Sequence, residues 1–155
     1  MTRSDLDTPT TPPIGDLDVG EIGDILGFHI RLAHGAVYRH FTETFAEMEL
    51  TQKQVSVLWL VSDNPGLAQT DLAQRLRMDR ATTMATVNRL QDRTLLYRGK
   101  SPTDGRKQAL FLTDQGVQML SDAKAAIHAH EEWLKGRFSA KEVAKLIELL
   151  TRIHE

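Results

Sequence analysis

The sequence predicts a mainly α-helical fold carrying one small β-hairpin, and three observations lead there. Apolar residues recur three to four apart in long segments on both sides of the chain's middle, which is helical spacing. Aromatic residues make up only 6% of the chain, so the core must come from Leu, Ile, Val, Ala and Met, a set that leans toward helix. Two short runs, Leu95 to Lys100 and Gln108 to Leu112, read as strands around one polar turn. A length of 155 residues suits one compact domain or two small lobes sharing a core.

Each element has its own signal. Residues 1–18, with Pro9, Pro12 and Pro13 among Thr and Asp, read as a flexible arm. From Val19 to Met48, Ile22, Ile25, Ile30, Ala33, Val37, Phe41, Phe45 and Met48 fall at helical spacing, so one long amphipathic helix is expected, with His29 and His40 on its inward stripe. Thr51-Gln52-Lys53-Gln54 has capping-box form and opens a second helix, which ends at the turn cluster Asp63-Asn64-Pro65-Gly66. A short helix from Thr70 to Leu76, a tight break at Arg77-Met78, and a new helix capped by Asp79 and running from Arg80 to about Thr94 make a helix-turn-helix. In its second helix Met84, Val87 and Leu90 are assigned inward, which leaves Arg80, Thr82, Thr83, Thr86 and Arg89 for solvent or a ligand. Small hydroxyls and guanidiniums suit a nucleic-acid groove, whereas a merely solvated helix would more often show Glu and Lys. The hairpin with its basic tip, Ser101 to Lys107, follows directly. Thr113 can cap a helix from Asp114 to about Lys135, and Ser139-Ala140-Lys141-Glu142 opens a last one with Val143, Leu146, Ile147, Leu150 and Ile153 at helical spacing.

Charge is distributed unevenly beneath a formal net of −2. From Asn64 to Leu112 nine Lys and Arg (Arg75, Arg77, Arg80, Arg89, Arg93, Arg98, Lys100, Arg106, Lys107) face four acids (Asp71, Asp79, Asp92, Asp104), a window of +5. The rest of the chain is −7. A basic middle between acidic ends is the footprint of an anion-binding module, and a solvated basic face is the plain alternative. Without cysteine there can be no disulfide, thiolate nucleophile or Cys-ligated metal. No apolar run approaches the ~20 residues that span a bilayer, so a cytoplasmic protein without membrane contact is expected. Six histidines form no i, i+4 pair, and neither H-E-x-x-H, G-x-S-x-G nor a glycine-rich phosphate loop occurs. An enzyme, a metal site and a cofactor are therefore not expected.

Three stretches carry a family resemblance: Leu67 to Leu76 (LAQTDLAQRL), Ala81 to Leu90 (ATTMATVNRL), and Asp104 to Gly116 (DGRKQALFLTDQG). In this order and spacing, over about Ile22 to Glu155, the chain resembles the MarR family of winged-helix transcriptional regulators. The resemblance implies a winged helix-turn-helix with N- and C-terminal dimerisation helices: a DNA-binding lobe at about 51–113 and dimerisation helices at about 19–48 and 114–155. It implies a homodimer on double-stranded DNA, with Arg80, Thr82, Thr83 and Thr86 at base edges and Asn88 and Arg89 on phosphate. The wing would add Arg98, Lys100, Arg106 and Lys107, with Arg106 entering the minor groove and Asp104 orienting that guanidinium; an ordinary turn salt bridge is the alternative for this pair. Two positions depart from the family pattern. Ala68 stands where a capping Thr is usual, and Thr94 where a Gly ends the recognition helix, so Thr94 would take a left-handed conformation at a steric cost.

The first and the last two helices hold more apolar surface than a winged helix can cover, which also argues for a two-fold partner and a palindromic site. A repressor released by a small anionic, aromatic effector is the expected function. Along the first helix His29, Arg31, His34, Tyr38 and Arg39 could bind a carboxylate or phenolate, with Trp59 as an aromatic wall. Surface charges and interior histidines without a ligand are the alternative for each of them. For the whole chain the alternative is a helical protein-interaction adaptor that does not bind DNA.

Overall fold

The structure, a computed structural model, describes residues 18–155; the arm expected at residues 1–18 falls, up to residue 17, outside the described residues. The chain divides into two units, Met1–Ala36 and Val37–Glu155.

In the first unit a 3-10 turn at Gly20–Asp24 precedes helix α1 (Leu26–Phe45), which runs on into the second unit. The continuous helix expected from Val19 to Met48 is thus interrupted at both ends. Ile25 is extended, with ψ 114°, and Gly20 has φ 65°; glycines at 20 and 23 weaken a helical nucleus there. At the far end a 3-10 turn at Ala46–Met48 closes on Glu49 in the left-handed region. His29, expected inside, is exposed; its Nε2 lies 2.5 Å from the Gly23 carbonyl oxygen and its ring edge meets Phe28. Ile22, Ile25, Leu26, Ile30 and Leu32 are exposed as well.

The second unit is built from α2 (Gln52–Asp63), β1 (Leu67–Ala68), α3 (Gln69–Leu76), α4 (Arg80–Asp92), β2 (Leu96–Lys100), β3 (Gln108–Leu112), α5 (Asp114–Lys135) and α6 (Ala140–His154). Caps set the helix starts where the sequence placed them. Thr51 and Gln54 form the reciprocal capping box of α2, Thr113 Oγ1 accepts from the Gly116 N–H, and Ser139 with Glu142 repeats the box at α6. The core joins Phe41 and Phe45, stacked at 4.2 Å, to Val57, Leu58 and Val61 of α2, Leu72 of α3, Val87 and Leu90 of α4, Leu96 and Leu110 of the sheet, and Leu120 of α5. Each such side chain contributes about 1.5–3 kcal/mol on burial.

The sheet is antiparallel in the order β1-β3-β2, with Leu67 opposite Leu110 and Tyr97 opposite Phe111. β1 is an addition to the expected hairpin, because two residues are too short for any alternation to show. Gly66, at φ 88°, donates its N–H to the Leu110 carbonyl and brings β1 into register.

In the same unit His40 of α1 meets His130 of α5 with Nδ1 to Nδ1 at 2.7 Å, and His40 stacks on Trp133 at 3.9 Å. One ring must donate and the other accept, so at least one imidazole is neutral. Helix α6 has no buried residue, and Leu146, Ile147, Leu149, Leu150 and Ile153 are exposed.

Candidate nucleic-acid interface

Helix α4 begins at a strong cap. Asp79 accepts from the Thr82 N–H and the Thr82 hydroxyl, both at 2.7 Å, and these two bonds hold its carboxyl below the ordinary carboxylate value. Thr82 is therefore half-buried and tied to the cap, with its hydroxyl already donated.

Thr83 and Thr86 correct the sequence reading of this helix. Both are buried, and their hydroxyls donate to the carbonyls one turn back, Thr83 to Asp79 at 2.8 Å and Thr86 to Thr82 at 2.7 Å. Such back-bonding satisfies a hydroxyl without any outside partner, so a threonine can sit in an interior as a small β-branched residue. They join Val87 and Leu90 on the inward face, and Met84, assigned inward from sequence, is 52% exposed. The outward face is Arg80, Ala81, Met84, Ala85, Asn88 and Arg89. Met84 was read as core and Ala81 and Ala85 were given no face, although apolar contact with a thymine methyl is itself a way to read a groove.

The wing is attached to α4 by a side chain that was expected to touch DNA. The guanidinium of Arg98 on β2 donates to Asn88 Oδ1 at 2.8 Å, to Gln69 Oε1 at 3.1 Å and to Gln91 Oε1. Arg98 thus ties strand, recognition helix and the start of α3 together, and it occupies the carbonyl oxygen of Asn88. At the wing tip Asp104 Oδ1 accepts the backbone N–H of Arg106 at 3.0 Å, while the Asp104 N–H donates to Ser101 Oγ and its carbonyl accepts from the Lys107 N–H. Asp104 positions the backbone beneath Arg106, where the sequence reading had it orienting the guanidinium. The ion pairs among the described residues lie on α5 and α6, so the turn salt bridge does not form.

Of the nine cations in the basic window, Arg93 is turned to the carbonyls of Met48 and Glu49, and Arg98 to the network above. Arg75, Arg77, Arg80, Arg89, Lys100, Arg106 and Lys107 remain exposed. Thr94 has φ 57°, the left-handed conformation expected there, and its hydroxyl donates to Gln115.

The six residues expected to hold an effector fall in both units. His29, Arg31 and His34 lie in the first unit; Tyr38, Arg39 and Trp59 lie in the second. Arg31 sits 5.5 Å over the Phe28 ring, and Lys124 Nζ is 4.9 Å over the Trp59 ring, so that aromatic face already has a cation. Two cavities of about 290 and 280 Å³ occur in the second unit, and none of the six lines either. Among the described residues no cluster of His, Asp or Glu could hold a metal, and no helix is long and apolar enough to cross a membrane.

A helix-turn-helix followed by a basic antiparallel wing, with cations along one exposed face, defines a winged-helix DNA-binding protein. Residues 48–107 match the model of the MarR family. A protein of Thauera aromatica named for transcriptional regulation of the hcr operon is 33% identical over 147 residues, which is 94% of this chain and 89% of the relative. The repressor CouR, solved bound to a 23-mer DNA duplex, superposes with TM-score 0.84 at 33% identity over 90% of this chain and 99% of its own. A CouR structure bound to p-coumaroyl-CoA superposes with TM-score 0.81 at 32% identity over the same shares. The chain belongs to the MarR family: it is a DNA-binding transcriptional regulator and not an enzyme.

Proposed function

We propose that this protein is a homodimeric repressor that binds a palindromic operator and is released from it by a small aromatic acid or its thioester. One observation carries the reading: the repressor CouR, a third identical to this chain along nine tenths of its length, is seen both on duplex DNA and with an aromatic acyl thioester. The exposed face of α4 and the wing cations Lys100, Arg106 and Lys107 supply the DNA side. The groups offered to the effector's anionic and aromatic parts are those expected from the sequence, His29, Arg31 and His34 in the first unit and Tyr38, Arg39 and Trp59 in the second. Release needs the effector to prefer a spacing of the recognition helices that does not fit DNA, and coupling of ~1–3 kcal/mol is ordinary for such a device.

The test uses the full chain on the DNA upstream of its own gene. Complex formation is expected to weaken steeply with salt. Titration with p-coumarate and p-coumaroyl-CoA, followed in parallel by Trp fluorescence, is expected to dissociate the complex. Compounds that bind the protein but leave DNA affinity unchanged refute the coupling.

A further inference from the structure

Arg77 sits at the turn of the helix-turn-helix with φ 51° and ψ 42°, the left-handed conformation in which a residue with a Cβ is strained and glycine is not. Its guanidinium makes no hydrogen bond or ion pair among the described residues, so nothing inside the fold explains a long cation there; Thr94, in the same conformation, has its hydroxyl on Gln115. Glu49 takes the same conformation at φ 52°, so the backbone marks a turn, and it is the unpartnered guanidinium that points to a partner outside the fold. Arg77 also lines the 290 Å³ cavity together with Gln52, Lys53, Ser56, Asp79 and Thr82. Lys53 and Arg77 are exposed, and the one acid of the lining, Asp79, has its oxygens on the N–H and hydroxyl of Thr82. The lining therefore carries two cations against one carboxylate, with Leu76 and Met78 beside them, and the hydroxyls of Thr82 and Ser56 are donated to Asp79 and to the Gln52 carbonyl. Thr82 belongs to the first turn of α4, whereas the wing is anchored further along that helix, at Asn88 and Gln91. A helix set in a major groove about 12 Å wide has a phosphate backbone on either side.

We infer that this cavity is a second phosphate site, in which Lys53 and Arg77 hold a backbone phosphodiester of duplex DNA at the end of the recognition helix away from the wing's anchorage. The inference rests on the DNA-binding reading and adds to it residues outside the expected contact set. Binding there carries no base information; it fixes register and adds to the salt dependence.

Fluorescence anisotropy of the full chain on a mixed-sequence duplex of roughly 30 base pairs, long enough for two half-sites a helical turn apart, is followed against potassium chloride. Lys53→Gln and Arg77→Gln are each expected to weaken binding several-fold on every sequence tried and to make the slope of log affinity against log salt shallower by about one unit. Arg77→Gly separates function from folding: it relieves the strain, so Tm is expected to rise while DNA affinity falls as in Arg77→Gln. Wild-type slopes in both Lys53→Gln and Arg77→Gly overturn the inference. So does binding of inorganic phosphate to the free protein that Arg77→Gln abolishes without changing the duplex slope, since the site then serves a free anion. Arg106→Gln on the wing is the separate check: if it loses affinity while the other variants do not, DNA binding stands and only the second site fails. A wild-type chain with no salt-dependent affinity for the duplex overturns both.

Discussion

Thr83 is the residue at which local pattern and packing disagree most. Its side chain is 1% exposed and its hydroxyl is bonded to the Asp79 carbonyl, so Thr83→Ala is expected to cost about 1–2 kcal/mol of stability. Base preference should not change. Urea unfolding and a binding screen over operator variants check the two halves; a loss confined to one base position would put Thr83 back in the groove. Gly116 is the opposite case, a residue whose role the family motif marks and the structure explains. A Cβ at Gly116 would lie 1.9 Å from the Leu95 carbonyl oxygen, so the first turn of α5 rests directly on backbone that cannot move aside. Gly116→Ala should destabilise by about 3 kcal/mol or more, read as a drop in Tm or in soluble yield.

At the scale of elements, α3 has an unfilled cap. Ala68 has the extended N-cap backbone, φ −73° and ψ 144°, but no side-chain oxygen to meet the free N–H groups of the first turn. Ala68→Ser is expected to stabilise the fold by about 0.5–1 kcal/mol in urea unfolding, and a loss of stability would mean that β1 pairing tolerates no added atom. The contact of α1 with α5 carries a pH dependence. Burial first, and His40 second, push His130 below its ordinary value, against a smaller upward pull from Glu131. A group lowered on folding stabilises the native state fully above its unfolded value, near 6.5 for histidine, and that contribution is lost as pH falls through the folded value. Tm should therefore drop between roughly pH 7 and pH 5, and His130→Phe should flatten the profile. An unchanged profile in that variant would move the effect to another group.

For the whole molecule, the apolar residues left outside are the main fact. Leu146, Ile147, Leu149, Leu150 and Ile153 on α6 and, in the other unit, Ile22, Ile25, Leu26 and Ile30 are exposed on a single chain, and apolar residues of this kind are what a two-fold partner would cover. Light scattering is expected to return twice the 17.4 kDa of one chain. Ile147→Glu should shift it toward the monomer and weaken binding to a palindrome far more than binding to a single half-site. A wild-type monomer with full affinity for the palindrome would contradict the dimer.

By itself the sequence determined the order of the main helices and of the hairpin, the positions of the caps at Thr51, Asp79, Thr113 and Ser139, and the basic wing behind the helix-turn-helix. These depend on a residue and its neighbours within a turn or two, where spacing and side-chain type decide the outcome. Tertiary structure alone decided which face of α4 is inside, because Thr, Ala and Met are all tolerated on either face and only the packing against the core chooses between them. It also decided that Arg98 joins Gln69, Asn88 and Gln91, that β1 pairs with β3, and that Arg77 meets Lys53 at one cavity. Those partners lie far apart in the chain, and no local periodicity records which distant residues the fold brings within reach of one guanidinium.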